Sequence, residues 1–200
     1  MKHGFPLATT GLRVGLLGGS FDPPHNGHLH ISKWALRKFH LDCVWWLVSP
    51  GNPLKTQGPA PLERRMAACR DLVNHPKIKV TDLETRLHTR YTAETLKHLF
   101  ALYPGVNFVW LMGADNLADF HHWDRWDWIM ENVPIGVMSR PGEQIAAGLS
   151  PASRRYTRYR LSPKRAAALP LRASPCWTML TGKTLDISST QIRQSGHWVR

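Results

Sequence analysis

Gly18-Gly19-Ser20-Phe21-Asp22-Pro23-Pro24-His25-Asn26-Gly27-His28 is the segment best suited to anion chemistry in this 200-residue chain. Paired glycines let a backbone approach a ligand closely and adopt positive φ. Here they end an apolar run and precede an amphipathic one, as in a strand-to-helix turn. The free N–H groups of a helix start favour a phosphate at that place. His25 and His28 are three apart, one in the loop and one in the first helical turn. At an exposed helix start both imidazoles can point at a single anion. Two solvent-facing histidines on a Gly/Pro turn have the same spacing. Metal binding by Asp22, His25, His28 and His30 fits less well, because His28 and His30 leave a helix on different sides. The pattern is neither G-x-G-x-x-G nor a P-loop.

Ile187-Ser188-Ser189-Thr190-Gln191-Ile192-Arg193 is a second such run. Ser188, Ser189 and Thr190 make a good helix start, with Arg193 one turn on. Hydroxyls, free N–H groups and a guanidinium then converge at one helix end, which suits phosphate groups. A plain capped helix with an exposed arginine would read the same way. Asp115 follows Gly113 just past an apolar run, where a carboxylate can take ribose hydroxyls, cap a helix, or both. Trp123 lies in a polar, His-rich loop, where its face can stack on a flat ring. Trp126 and Trp128 are better placed to pack a helix.

The elements that would position these groups alternate. Val14–Leu17, Cys43–Val48, Ile78–Thr81, Phe108–Met112, Ile135–Met138 and Trp177–Leu180 read as strands. The runs at 14, 44, 108 and 135 are apolar on successive residues, as strands buried on both faces are. Helices are expected over residues 28–39, with Ile31, Trp34, Ala35 and Phe39 on one face, over 62–73 after Pro61, and over 93–102 capped by Thr92. Alternation of this kind implies an α/β fold, a doubly wound, mostly parallel sheet with helices on both faces. Its ligand crevice should lie at the carboxyl ends of the strands.

Composition bounds the alternatives. A chain of 22.7 kDa with 42% hydrophobic and 20% charged residues is an ordinary globular composition, and its length suits one domain over 1–200. Cys43, Cys69 and Cys176 are too few for a disulfide framework and lack zinc-ligand spacing, which fits a reduced, cytoplasmic compartment. No signal peptide or membrane span is expected. The net charge of +12 favours an anionic partner. It is concentrated after residue 142, where ten Lys/Arg stand against two Asp/Glu. Residues 143–175 read as a basic insertion of uncertain structure, most simply a solvated surface segment.

Gly18 to Leu29 resembles the G-x-F-x-P-x-H-x-G-H signature of the HxGH nucleotidyltransferase superfamily, and Ile187 to Arg193 resembles its I-S-S-T-x-I-R signature, in matching order and separation. Asn52-Pro53-Leu54-Lys55, Tyr91-Thr92-x-x-Thr95-Leu96, Met112-Gly113-Ala114-Asp115-Asn116-Leu117, Trp123 and Ser139-Arg140-Pro141-Gly142 are similar to motifs of the bacterial nicotinate-nucleotide adenylyltransferases. The resemblance covers about 12–142 and 176–193. It implies a Rossmann-like nucleotidyltransferase fold and adenylyl transfer from ATP to nicotinate mononucleotide. It implies catalysis by His25, His28 and Arg193. ATP would meet these three together with Gly18, Gly19, Ser20, Phe21, Gly113, Asp115, Ile187, Ser188, Ser189 and Thr190. The mononucleotide would meet Asn52, Lys55, Tyr91, Thr92 and Trp123. No protein metal site is implied. Mg²⁺ would ride on ATP, and a homo-oligomer is compatible with the family.

Two other functions are weighed against this one. Pantetheine-phosphate adenylyltransferases share the phosphate loop and the C-terminal motif, but have Thr where His25 stands and lack the Tyr91-Thr92 and Trp123 features. A basic nucleic-acid-binding module would use the +12 charge and the nine tryptophans. No RNP-type, helix-turn-helix or zinc-finger signature accompanies them, and neither nucleic acid nor membrane is the expected partner.

Overall fold

The computed structural model describes residues 4–51, 58–139, 142, 144–182, 187–196 and 198. Six strands form one sheet: β1 (Arg13–Gly19), β2 (Cys43–Val48), β3 (Ile78–Thr81), β4 (Asn107–Gly113), β5 (Ile135–Ser139) and β6 (Trp177–Thr181). Their order is β3-β2-β1-β4-β5-β6, and every adjacent pair is parallel. All six expected strands are present. The chain winds outward from β1 in one direction and from β4 in the other. The order therefore reverses between β1 and β4, and a crevice opens beyond their carboxyl ends.

Strand alternation builds two cores. On β2, Trp45 and Leu47 face one side, while Val44, Trp46 and Val48 face the other. The first side is covered by α3 (Leu83–Arg86), α4 (Thr92–Leu102), α5 (Ala114–Asp119), α6 (Trp126–Asn132), α7 (Gln144–Leu149) and α8 (Pro151–Arg155). The second is covered by α1 (Asn26–Lys38), α2 (Leu62–Leu72) and a 3₁₀ segment, Pro163–Leu171. A final short helix, α9 (Ser189–Gln194), stands at the carboxyl edge. Trp126 packs edge-on to Phe120 and Tyr156, and Trp128 lies near Phe100, so both serve packing.

The basic segment after residue 143 folds onto both cores. Ala147, Ala152 and Tyr156 are buried on the first side, Ala166 and Leu169 on the second. Its arginines stay exposed but not idle. Arg155 lies over Trp126 and Tyr156, Arg158 over Tyr159, and Arg160 over Trp177. The guanidinium planes cover aromatic faces that would otherwise meet water.

The three cysteines are free and buried, at the start of β2, within α2 and just before β6. Burial pushes the Cys69 thiol up to about 12 and raises those of Cys43 and Cys176.

Candidate active site

A cavity of about 420 Å³ opens at the carboxyl ends of β1 and β4. That size suits a small-molecule site. Gly18, Gly19, Ser20 and Phe21 line it from the β1 loop, Gly113 and Asp115 from the β4 loop, and Ile187 to Thr190 with Arg193 from α9. Tyr91, Thr92 and Trp123 line it as well. All the expected site residues that are described therefore meet in one place. Asn52 and Lys55 lie outside the described residues.

The glycines act by size rather than by dihedral angle. Neither Gly18 nor Gly19 has positive φ; the left-handed residue of the loop is Phe21, at φ 48°. A Cβ on Gly18 would come within 2.6 Å of the Trp110 ring, so the strand end packs on that indole only without a side chain. The turn at Phe21 drives its ring inward, where it is 1% exposed and stacks on Trp46 at 4.9 Å. Its other neighbour is His28, at 4.7 Å.

The two histidines are arranged differently from a pair on an exposed helix start. His25 is the N-cap of α1, and His28 is its third residue. The Gly27 N–H donates to His25 Nδ1 at 3.1 Å, and the His25 N–H donates to His28 Nδ1 at 3.2 Å. Imidazoles have taken the parts usually played by Ser and Glu in a capping box. A backbone N–H cannot give up its proton, so each Nδ1 must present its lone pair. The ring proton of each neutral histidine then sits on Nε2. Burial and the neighbouring His25 hold His28 well below the ordinary histidine range, at about 3. It is a neutral N–H donor at physiological pH, not an imidazolium. The Ser32 hydroxyl, which accepts from Trp46 Nε1 at 2.7 Å, donates to the His28 carbonyl at 2.9 Å and fixes the backbone beneath the ring.

α9 repeats the device with ordinary residues. Ser188 Oγ accepts from the Gln191 N–H, and the Gln191 side chain accepts from the Ser188 N–H. Ser189 Oγ donates to the Pro23 carbonyl at 2.8 Å, which ties α9 to the β1 loop. Arg193 donates to the Asp22 carbonyl and to Thr190 Oγ1. The C-terminal motif and the glycine loop therefore form one bonded unit.

Across the cavity the construction is different. Trp123 follows a 3₁₀ turn, Phe120–His122, and packs edge-on to Phe120 at 5.1 Å and Trp110 at 6.2 Å. It is half-buried, with part of the indole on the cavity wall. Thr92 begins α4 rather than capping it; the N-cap is Tyr91, which makes no side-chain cap bond. Asp115 likewise lies inside α5, whose N-cap is Gly113. Its carboxylate is not spent on a cap.

The sequence reading singles out Asp22 only as a candidate metal ligand and does not single out Arg65 or Glu84. Asp22, 1% exposed, accepts from Trp198 Nε1 at 2.7 Å and from the Ala60 N–H at 3.3 Å. Arg65 is equally buried and donates to loop carbonyls. Glu84 lines the cavity beside Arg90 and Tyr91, and burial pushes its carboxyl up to about 7. Arg65 could have been noticed, since it stands four before the buried Cys69 on the apolar side of α2. Among the described residues no cluster of three His, Cys, Asp or Glu could hold a metal ion.

The cytidylyltransferase-like family model matches residues 16–195. A probable nicotinate-nucleotide adenylyltransferase of Roseobacter denitrificans is 54% identical over 199 residues, covering 100% of both chains. One of the same name from Cereibacter sphaeroides is 58% identical over 185 residues, covering 92% of this chain and 98% of the relative. The chain belongs to the nicotinate-nucleotide adenylyltransferase family. A similar fold is found in Plasmodium falciparum nicotinic acid mononucleotide adenylyltransferase complexed with NaAD, with a TM-score of 0.69 at 18% identity, covering 92% of this chain and 83% of that one. The six-stranded parallel sheet is thus the Rossmann-like fold expected for the family. No helix among the described residues is long and apolar enough to cross a membrane.

Proposed function

We infer that the chain transfers the adenylyl group of ATP to nicotinate mononucleotide, giving nicotinate adenine dinucleotide and pyrophosphate. The observation that carries this reading is the convergence of the glycine loop, the α9 motif, Tyr91-Thr92 and Trp123 on one cavity at the β1/β4 switch point.

The mononucleotide phosphate attacks the α-phosphorus of ATP in line. A P–O bond forms there as the bond to the bridging oxygen of pyrophosphate breaks. Phosphate is already ionised near neutral pH, so no side-chain nucleophile is required. Catalysis is positioning plus stabilisation of charge on the leaving oxygens. In this proposal His25 and His28 donate from Nε2, and Arg193 adds a fixed positive charge. Ser188, Ser189 and Thr190 hold the β- and γ-phosphates. Asp115 takes ribose hydroxyls, and Trp123 stacks on the pyridine. Asn52 and Thr92 address the pyridine substituent, Tyr91 lies against the mononucleotide, and Lys55 meets its phosphate. Mg²⁺ arrives as the counter-ion of ATP and is part of the substrate.

Pyrophosphate release from ATP, measured with a panel of pyridine mononucleotides and phosphopantetheine, tests the reading. Turnover is expected with nicotinate mononucleotide. Release with phosphopantetheine and with no pyridine mononucleotide would replace the reading by pantetheine-phosphate adenylyl transfer.

A further inference from the structure

Arg65 sits in the first turn of α2, 1% exposed, and its side-chain hydrogen bonds all run to main-chain carbonyls. Nε donates to the Ala60 carbonyl at 2.6 Å. Nη1 donates both to Ser20 O, at 2.6 Å, and to Ser49 O, at 2.7 Å. Nη2 reaches Pro50 O at 3.3 Å. Ser20 belongs to the loop after β1, while Ser49 and Pro50 belong to the loop after β2. Ser20, Ser49 and Gly51 all line the cavity. One guanidinium nitrogen thus bridges the two loops from behind the cavity wall.

Burying a guanidinium is costly, and apolar packing would join two loops more cheaply. Burial lowers the Arg65 pKa, and the nearby Asp22 opposes that shift. What the guanidinium supplies is a rigid planar fan of donors that meets carbonyls from three chain segments at once. The backbone itself links the β1 and β2 ends at this level by the Ser49 N–H to Gly19 carbonyl bond.

We propose that Arg65 is a positioning residue that sets the spacing between the β1 loop, which holds the adenylyl donor, and the β2 loop, which leads toward the mononucleotide, and so aligns the acceptor phosphate with the α-phosphorus. The assignment of substrates to the two loops rests on the proposed function. Each loop can bind its own ligand without Arg65. The in-line approach of one ligand to the other depends on the distance between the loops. Displacement of a reacting group by an ångström lowers a rate by about 10²-fold.

Arg65→Lys keeps the charge but loses the planar bridge, and Arg65→Gln keeps donors without charge. We expect kcat of Arg65→Lys to fall by about tenfold to a hundredfold on that positional scale. The KM values for ATP and for nicotinate mononucleotide should stay within about twofold, because neither ligand touches Arg65. Affinity for nicotinate adenine dinucleotide, which spans both loops, should weaken far more than that for either substrate alone. A wild-type kcat in Arg65→Lys overturns the proposal. So does a parallel loss of all three affinities together with thermal stability, which marks a merely structural residue. Wild-type protein gives an arm that does not depend on the variants folding: ATP alone should slow amide exchange at Ser49 and Gly51 as well as at 18–21. Protection confined to 18–21 also overturns it. If wild-type enzyme released no pyrophosphate with any pyridine mononucleotide, the proposed function would fail instead, while the exchange result would still report on the bridge.

Discussion

At one end of the cavity, between α1 and α9, the helix starts are capped by side chains two or three positions away, and Ser189 and Arg193 bond the α9 start to the β1 loop. His25 takes the Gly27 N–H, His28 takes the His25 N–H, and Ser188 pairs with Gln191. At the other end, around Trp123 and Glu84, no capping side chain fixes the helix starts, and Trp123 is placed by ring packing on Phe120 and Trp110 rather than by hydrogen bonds. The first construction pins donor atoms closely, as stabilising charge on a phosphate requires. The second supplies a flat, partly apolar wall, where shape matters more than the aim of one atom.

The largest effect expected from breaking this contrast is at His28. His28→Ala should lower kcat by about 10²-fold or more, the scale of losing one oxyanion-type donor. Because His28 is packed against Phe21 and Trp46 rather than exposed, the variant should also lose thermal stability. His25 allows the two contributions to be separated. His25→Asn retains a capping oxygen without the Nε2 donor. It should lose kcat at near wild-type melting temperature, whereas His25→Ala should lose about 1 kcal/mol of stability as well. Steady-state rates and thermal melts on the three variants decide this. A His25→Asn enzyme with normal kcat would reduce His25 to a cap.

Trp123→Ala probes the packed end. If its ring stacks on the pyridine, about 1–3 kcal/mol of affinity is lost, so KM for the mononucleotide should rise about tenfold to a hundredfold. KM for ATP should change little, and the acid-to-amide preference should hold, since a stacked ring does not read the substituent. A raised KM for ATP alone would put Trp123 at the wrong end. Lost stability without any kinetic change would make it a core residue.

The smallest expected effect lies in the pH dependence of stability. Glu84 is raised to about 7 from an ordinary 4.5, so stability falls as pH rises through that window and the buried carboxyl must ionise. His28 is depressed to about 3 from 6.5, so its contribution is complete above 6.5 and is lost as pH falls toward 3. Between 4.5 and 6.5 the two slopes oppose each other. Glu84→Gln should therefore expose a rise in stability with pH across that interval and a gain over wild type at pH 8, read by urea denaturation. An unchanged pH profile would mean that Glu84 is solvated in solution.

The same contrast explains what could be read from the residues alone. Strands buried on both faces announce themselves as unbroken apolar runs, and β2 begins and ends where its run does. Capped loops are also local, so the β1 loop and Ile187 to Arg193 were legible as candidate phosphate sites. What was not legible depends on distant partners. The role of Phe21 as a support for His28 requires Trp46, and the burial of Arg65 requires carbonyls from three segments. The helices α7 and α8 and the 3₁₀ segment after them bury only small or scattered residues, Ala147, Ala152, Ala166 and Leu169 among them, so no periodicity marks them.

The buried cysteines give the protein a reporter of its own opening. A thiol reagent reacts with exposed thiolate, and the shielded, poorly acidic sulfurs of Cys43, Cys69 and Cys176 offer almost none of it in the folded state. They lie at the start of a central strand, in a helix on one face and beside the edge strand β6. Pulses of reagent followed by mass analysis would time when each neighbourhood admits solvent, and so separate fraying of the β6 edge from cooperative loss of the sheet centre.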